Sequence, residues 1–389
     1  MEKGEDKMEK RTVIVTGGNS GLGYQCAKNI AMKDKDYTLV LACRNPEKAA
    51  KAIQDMKAET GNENIHSVAL DLASLDSVRA FKELYKKENF PPLYSIVCNA
   101  GLNRTPLEYT KDGFEMTFGV CHLGHFLLVN EMLDMVTEDG RIVFVASDMH
   151  RPPIMMSLTA PAFTDAYKLA YLGKNEKPSG KDMNLRYSMA KLSNILCTYE
   201  MADRLKTAGK KITVNAFNPG LMTDTNFMPT GSKVQKALIS AGSTIVAKLT
   251  NRYGSGLTSG KELAKMVTEE SFAGVTGKYN DRGTITKTSE PSYDKKAAKK
   301  LWEQSVELLK KSGIEYEFRT TVVDELHEVP DFEEIGKWIE GARHYYLQCF
   351  TDRDTVPFGG LSAPSKEKLS ACAERVRVYV QDVQIRGVD

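Results

Sequence analysis

The sequence predicts an α/β fold: a doubly wound parallel sheet, followed by a small α/β extension. Three observations carry the prediction. Short apolar runs alternate with longer helical runs through the first three quarters of the chain. A glycine-rich turn, Thr16-Gly17-Gly18-Asn19-Ser20-Gly21-Leu22-Gly23, joins the first apolar run to the first helical one. Acidic residues then concentrate after Ser312, where fifteen acids stand against nine bases.

In order, Thr12–Thr16 is the first apolar run and Leu22–Lys33 the first helix. Thr38–Ala42 is the second strand, Glu47–Ala58 a helix, and Ser67–Leu70 the third strand. Ser77–Lys87 is helical. Tyr94–Cys98 and Arg141–Ala146 are strands flanking a helix at Phe126–Met135, and Lys211–Phe217 is another strand. Strands that alternate with helices of this length build a parallel sheet covered on both faces, whose ligands sit at the carboxyl ends of the strands. Gly313 follows the lysine-rich end of the helical run Leu301–Lys311 and reads as a helix stop, which places a domain boundary there. The expected organisation is a disordered stretch at 1–10, a main domain at 11–312 and an acidic β-α-β-α-β extension at 313–389.

The 389 residues allow one large and one small domain, with 41% hydrophobic and 27% charged residues, ordinary for a globular chain. A net charge of +2 gives no global reason to bind nucleic acid. The opening MEKGEDKMEK is charged and lacks the apolar stretch of a signal peptide, and no apolar run is long enough for a membrane span. Seven scattered cysteines suit reduced thiols in the cytoplasm, and they form no metal-ligand spacing with the six histidines.

The glycine turn lets the backbone approach a pyrophosphate, and the helix after it offers free N–H groups and a positive dipole end. Its spacing is G-x-x-x-G-x-G rather than G-x-G-x-x-G. The second strand ends at Cys43-Arg44, with no acid at 42–45 to accept from a ribose hydroxyl. A guanidinium matches a 2′-phosphate, so Arg44 favours NADP(H) over NAD(H). Asp71-Leu72 ends the third strand. The Asp71 carboxylate either accepts from the adenine amino group or caps the segment after Ala73.

These residues resemble the short-chain dehydrogenase/reductase family over roughly residues 11–310. The motifs in the family's order are Thr16-Gly17 to Gly23, Asp71-Leu72, Asn99-Ala100-Gly101, Ser147, Tyr187-Ser188-Met189-Ala190-Lys191 and Pro219-Gly220. Asp71–Arg79, His122-Leu123-Gly124-His125-Phe126-Leu127-Leu128 and the late helix Ala298–Leu309 look most like retinol dehydrogenases and light-dependent protochlorophyllide reductases. The resemblance implies a Rossmann-like fold and hydride transfer between NADP(H) and a carbonyl or alcohol. It also implies cofactor contacts at Gly17, Asn19, Ser20, Gly21, Leu22, Gly23, Arg44, Asp71, Leu72, Asn99, Ala100, Gly101, Tyr187, Lys191, Pro219, Gly220 and Thr223. Homodimers or homotetramers are typical of such proteins.

Tyr187 and Lys191 are four apart and share a helix face. A phenol has an ordinary pKa of about 10, and a neighbouring ammonium together with an oxidised nicotinamide would lower it. Tyr187 would then give its proton to the substrate oxygen, Lys191 would bind the ribose hydroxyls, and Ser147 would orient the substrate. The small residues of Asn99-Ala100-Gly101 would let the cofactor pass close to the backbone, and Thr223 or Thr225 would reach the carboxamide.

Three departures bear on function. Cys121 stands where the family usually has the asparagine that supports a water relay behind the lysine, and a thiol is a weak donor and acceptor. Leu221 stands where the protochlorophyllide reductases carry a cysteine, which weighs against light-driven C=C reduction. The long connection from Ser147 to Tyr187 carries Met149, Met155, Met156, Phe163, Tyr167, Tyr171 and Leu172. Such an apolar cover suits a bulky lipophilic substrate, such as a retinoid, steroid or aromatic ketone. Cys121 and the extension also motivate an alternative, a non-catalytic NADP(H)-binding scaffold or sensor.

The extension reads Glu317–Val323 strand, Asp331–Glu340 helix, His344–Phe350 strand, Lys366–Val380 helix and Val383–Val388 strand. Phe318–Val323, Ile335–Ile339 and Tyr346–Phe350 resemble the closing section of radical-SAM activating proteins of anaerobic ribonucleotide reductase. The C-x-x-x-C-x-x-C of those proteins is absent, so no iron–sulfur chemistry comes with the resemblance. A fused half-domain that docks on its own main domain or on another protein is the expectation.

Overall fold

The structure, a computed structural model, describes residues 10–103, 107–151, 161–172, 180–222, 253–311, 317–340, 342, 344–352 and 359–387. The chain divides into two compact units, Met1–Leu309 and Lys310–Asp389.

The first unit is built on an eight-stranded sheet. Its strands are β1 (Arg11–Thr16), β2 (Tyr37–Cys43), β3 (Ile65–Ala69), β4 (Leu93–Cys98), β5 (Val136–Val145), β6 (Thr213–Asn218), β9 (Tyr279–Asp281) and β10 (Thr284–Thr286). A separate parallel pair joins β7 (Leu221–Met222) to β8 (Tyr253–Gly254). The spatial order is β10-β9-β6-β5-β4-β1-β2-β3, parallel throughout except for β10. The central strands read as unbroken apolar runs because helices cover both faces; all of β2 and β4 is buried.

The helices are α1 (Gly21–Lys33), α2 (Pro46–Thr60), α3 (Leu75–Lys87), α4 (Met116–Phe118), α5 (Gly124–Met132), α6 (Ala166–Ala170), α7 (Gly180–Thr207), α8 (Gly256–Thr268) and α9 (Lys295–Lys311). Their ends follow local chemistry. Asn45 caps α2 by accepting from the Lys48 N–H, Pro46 sits in its first turn, and Gly61 ends it in the left-handed region at φ 66°. Ser74 caps α3 and Ser255 caps α8. A Cβ at Gly260 would lie 2.4 Å from the Gln25 Cβ, so the absent side chain lets α8 close on α1. A π-turn at Gly119–Leu123 joins α4 to α5, ahead of the helix that the sequence predicted at Phe126–Met135. Neither α8 nor the β9–β10 hairpin was expected.

The second unit is a three-stranded parallel sheet, β11 (Glu317–Val322), β12 (His344–Cys349) and β13 (Asp382–Arg386), in that order. Helices α10 (Asp331–Trp338) and α11 (Lys366–Arg377) make the crossovers. Right-handed crossovers between successive neighbours put both helices on one face. That face holds the unit's core, with Val322, Tyr345, Leu347 and Val383 against Phe332, Leu369, Cys372 and Val376. The alternate residues are polar; among them His344 Nδ1 meets Asp382 Oδ2 at 2.9 Å.

Candidate active site

The glycine turn leaves β1 with Gly17 at φ 63° and enters α1 with Gly21 at φ 55°, both in the left-handed region. A Cβ on Gly17 would come 3.2 Å from the Ala100 Cβ, and one on Gly23 would sit 2.5 Å from Asn99 Nδ2 and 2.6 Å from the Gly17 oxygen. Ser20 holds the N-cap position with no side-chain capping bond, and α1 has no acid in its first turn. Asn19 Oδ1 accepts weakly from the Cys43 thiol at 3.4 Å, while Leu22 is buried. Arg44 is exposed just beyond β2.

Thr16 ties this turn to the end of β4. Its Oγ1 accepts from the Asn99 and Ala100 N–H groups, each at 2.9 Å, and its carbonyl accepts from Asn99 Nδ2 at 2.8 Å. A Cβ at Gly101 would lie 3.4 Å from Cys121 Sγ and 3.5 Å from Lys191 Nζ, which brings the β4 loop, the π-turn and α7 together. After β3, Asp71 Oδ1 accepts from the Ala73 N–H at 3.1 Å, so the carboxylate supports the turn before α3. The Leu72 carbonyl lies 2.7 Å from where Gly124 would carry a Cβ.

Ser147 follows β5, and its Oγ accepts from the Met149 N–H at 3.3 Å. Tyr187, on α7, shares a side-chain hydrogen bond with Ser147. Lys191 stands one turn on; its Nζ lies 5.6 Å from the Tyr187 ring centroid and donates to the Val145 carbonyl at 2.7 Å. Past β6, Gly220 takes φ 77°, and the Pro219 carbonyl accepts from Ser259 Oγ at 2.6 Å.

The chain belongs to the short-chain dehydrogenase/reductase family. A family model described as short chain dehydrogenase matches residues 11–158. Retinol dehydrogenase 13 of Homo sapiens is 34% identical over 307 residues, covering 77% of this chain and 84% of its own. The WW domain-containing oxidoreductase of Danio rerio is 38% identical over 229 residues, or 57% of this chain and 52% of its own, so this chain spans about half the length of that relative. A solved structure from Mycobacterium Paratuberculosis aligns with a TM-score of 0.57 and 26% identity, covering 78% of this chain and 94% of that one. Within the family the chain stands close to the retinol dehydrogenases.

The residues fit the family's dinucleotide. The cradle at Gly17 and Gly23 has no room for a side chain, and the start of α1 offers N–H groups to an anion. One expectation needs correction. Within the protein alone the Tyr187 phenol is not lowered: burial pushes it well up, and the bond with Ser147 only opposes that. Burial also lowers Lys191. The ammonium therefore does not by itself ready the phenol to ionise.

Sequence reading missed several supporting groups. His125 Nδ1 donates to the Cys121 carbonyl at 3.2 Å, which leaves Nε2 to accept from Thr16 Oγ1 at 2.9 Å. A buried pair, Arg186 and Glu115 at 3.6 Å, lies beside Tyr187, and Glu115 Oε2 also caps α4 through the Phe118 N–H. Cys121 is buried and donates to the Leu102 carbonyl at 3.7 Å. Thr223, Thr225, Met155 and Met156 lie outside the described residues, while Met149 and Phe163 are half-buried. No helix among the described residues is long and apolar enough to cross a membrane, and none of their His, Cys, Asp and Glu side chains form a metal-holding group.

Proposed function

We propose that this chain is an NADP(H)-dependent oxidoreductase acting on the carbonyl or alcohol of a bulky lipophilic substrate. The observation that carries it is the hydrogen bond between Tyr187 and Ser147, with Lys191 one helical turn away and its Nζ beside Gly101. When bound, the nicotinamide supplies or takes the hydride. Gly17, Ser20, Gly21 and Gly23 would hold the pyrophosphate, and Arg44 the 2′-phosphate that distinguishes NADP(H). Lys191 would hold the nicotinamide ribose, and Asn99, Ala100, Gly101, Pro219 and Gly220 would border the ring side. Ser147 orients the substrate oxygen by hydrogen bonding. Tyr187, kept protonated by desolvation, gives its proton to that oxygen in reduction and recovers it in oxidation. Half-buried Met149 beside Ser147 and a relative named retinol dehydrogenase support a lipophilic substrate.

The test is direct. Purified protein with NADPH and a panel of retinoid, steroid and aromatic carbonyls should consume cofactor, and Tyr187→Phe should stop it. Tight NADPH binding without turnover on any member, or on any alcohol with NADP⁺, would instead favour a non-catalytic sensor.

A further inference from the structure

Asn218, the last residue of β6, is buried, and both ends of its side-chain amide are bonded. Its Oδ1 accepts from two backbone N–H groups, those of Asp148 and Gly220, each at 3.1 Å. Its Nδ2 donates to Asp281 Oδ1 at 2.9 Å. Arg282 then holds the same carboxylate with two bonds, Nε to Oδ1 at 2.7 Å and Nη2 to Oδ2 at 3.1 Å. One amide thus joins three strand ends: the residue after Ser147 beyond β5, the Pro219-Gly220 turn beyond β6, and β9, where Asn218 and Asp281 are register partners.

The Asp148 N–H belongs to the same peptide plane as the Ser147 carbonyl. That carbonyl is held from its other side by His150 Nδ1 at 2.6 Å. Asn218 on the N–H and His150 on the C=O therefore fix the plane, and with it the ψ angle of Ser147. No other side chain meets these demands. Aspartate would set a carboxylate against Asp281, and leucine would leave the Asp148 and Gly220 N–H groups without their shared acceptor.

We propose that Asn218 is a positioning residue of this site: by clamping the peptide after Ser147 to the Pro219-Gly220 turn, it sets where Ser147 Oγ stands relative to the Tyr187 hydroxyl. It touches neither substrate nor cofactor. The inference rests on the oxidoreductase reading above and adds a residue to it.

The experiment is a swap. Asn218→Asp should lower kcat by about 100-fold, the scale expected of a displacement near 1 Å, with substrate KM changed much less. Adding Asp281→Asn restores a donor opposite an acceptor, so the double variant should regain at least about tenfold in kcat. A double variant that recovers thermal stability but not kcat shows a merely structural role and overturns the proposal, as does an Asn218→Asp enzyme with wild-type kcat. Should Asn218→Asp fail to fold, the double variant carries the test: its kcat must stay within about tenfold of wild type. Amide hydrogen exchange at Asp148 and Gly220 gives a readout independent of turnover. Both should be protected in the wild type and released in Asn218→Ala; equal exchange in the two proteins removes the clamp. A wild type with protected amides but no turnover defeats the oxidoreductase reading and the positioning role together, and leaves only the clamp.

Discussion

Burial holds the Tyr187 phenol in its protonated form, and that has a kinetic consequence with a definite sign. A group raised above its ordinary range stays neutral through neutral pH, so reduction, which needs the proton, should be flat between about pH 6 and 8 and fall only in alkali. Oxidation needs the phenolate and should climb with pH over the same interval, helped by the positive ring of the oxidised cofactor. A reductive rate that titrates away below about pH 8 would mean that another group is the acid. Tyr187→Phe should cost about 10²–10⁴-fold in kcat with thermal stability nearly unchanged. At the other end of the cofactor, Arg44 is exposed, so its removal perturbs little else. Arg44→Ala should weaken NADPH by about 1.5–3 kcal/mol, the range for a hydrogen bond to a charged group, and leave NADH almost unaffected. Equal losses in fluorescence titrations of the two cofactors would remove the 2′-phosphate assignment.

The glycine positions separate at the level of elements. A methyl at Gly23 runs into the Asn99 amide at 2.5 Å and the Gly17 backbone at 2.6 Å, and neither can yield without parting β1 from the β4 loop. Gly23→Ala should therefore destabilise the protein by about 1–3 kcal/mol and abolish NADPH binding. At Gly101 the same methyl meets only ordinary contacts at 3.4 and 3.5 Å, so Gly101→Ala should unfold at nearly the wild-type temperature. Melting curves of the pair decide it. What the sequence disclosed follows the same division. Strands β1, β2 and β4 were legible because burial on both faces leaves nearly uninterrupted apolar runs, and the turn because glycine answers a backbone demand. The β9–β10 hairpin was not, since Tyr279-Asn280-Asp281 carries no apolar run. Ser147, Tyr187 and Lys191 could be named from spacing and resemblance. Thr16, His125, Asn218 and Glu115 act through partners up to 109 positions away, and no local pattern announces such pairings. The π-turn carrying Cys121 was hidden because its residues are helical by any periodicity.

Two properties belong to the whole molecule. Three buried histidines are held neutral: burial lowers His122 and His125 to about 3 and His150 to about 4. The unfolded chain binds protons at these sites below about pH 6.5 while the folded protein does not, so stability is present above that pH and drains away as pH falls towards 3. Each histidine contributes at most about 1.4 kcal/mol per pH unit to that slope. Urea midpoints should fall steeply below about pH 6, and His125→Gln should flatten the slope even if it lowers the plateau; an unchanged slope would exclude His125 as a contributor. The second property is the separation of cores. Val322, Phe332, Tyr345, Leu369 and Val376 pack among themselves within Lys310–Asp389, whereas the Tyr187 site is made wholly of residues from Met1–Leu309. Phe332 is completely buried, so Phe332→Ala should cost the second unit about 3–5 kcal/mol. A unit of this size has little more stability than that to lose, so it should melt first and give thermal unfolding two transitions where the wild type shows a narrower span. NADPH turnover should survive the first transition and disappear only with the second. Loss of turnover in step with the first would mean that the acidic unit supports the active site through more than its covalent link.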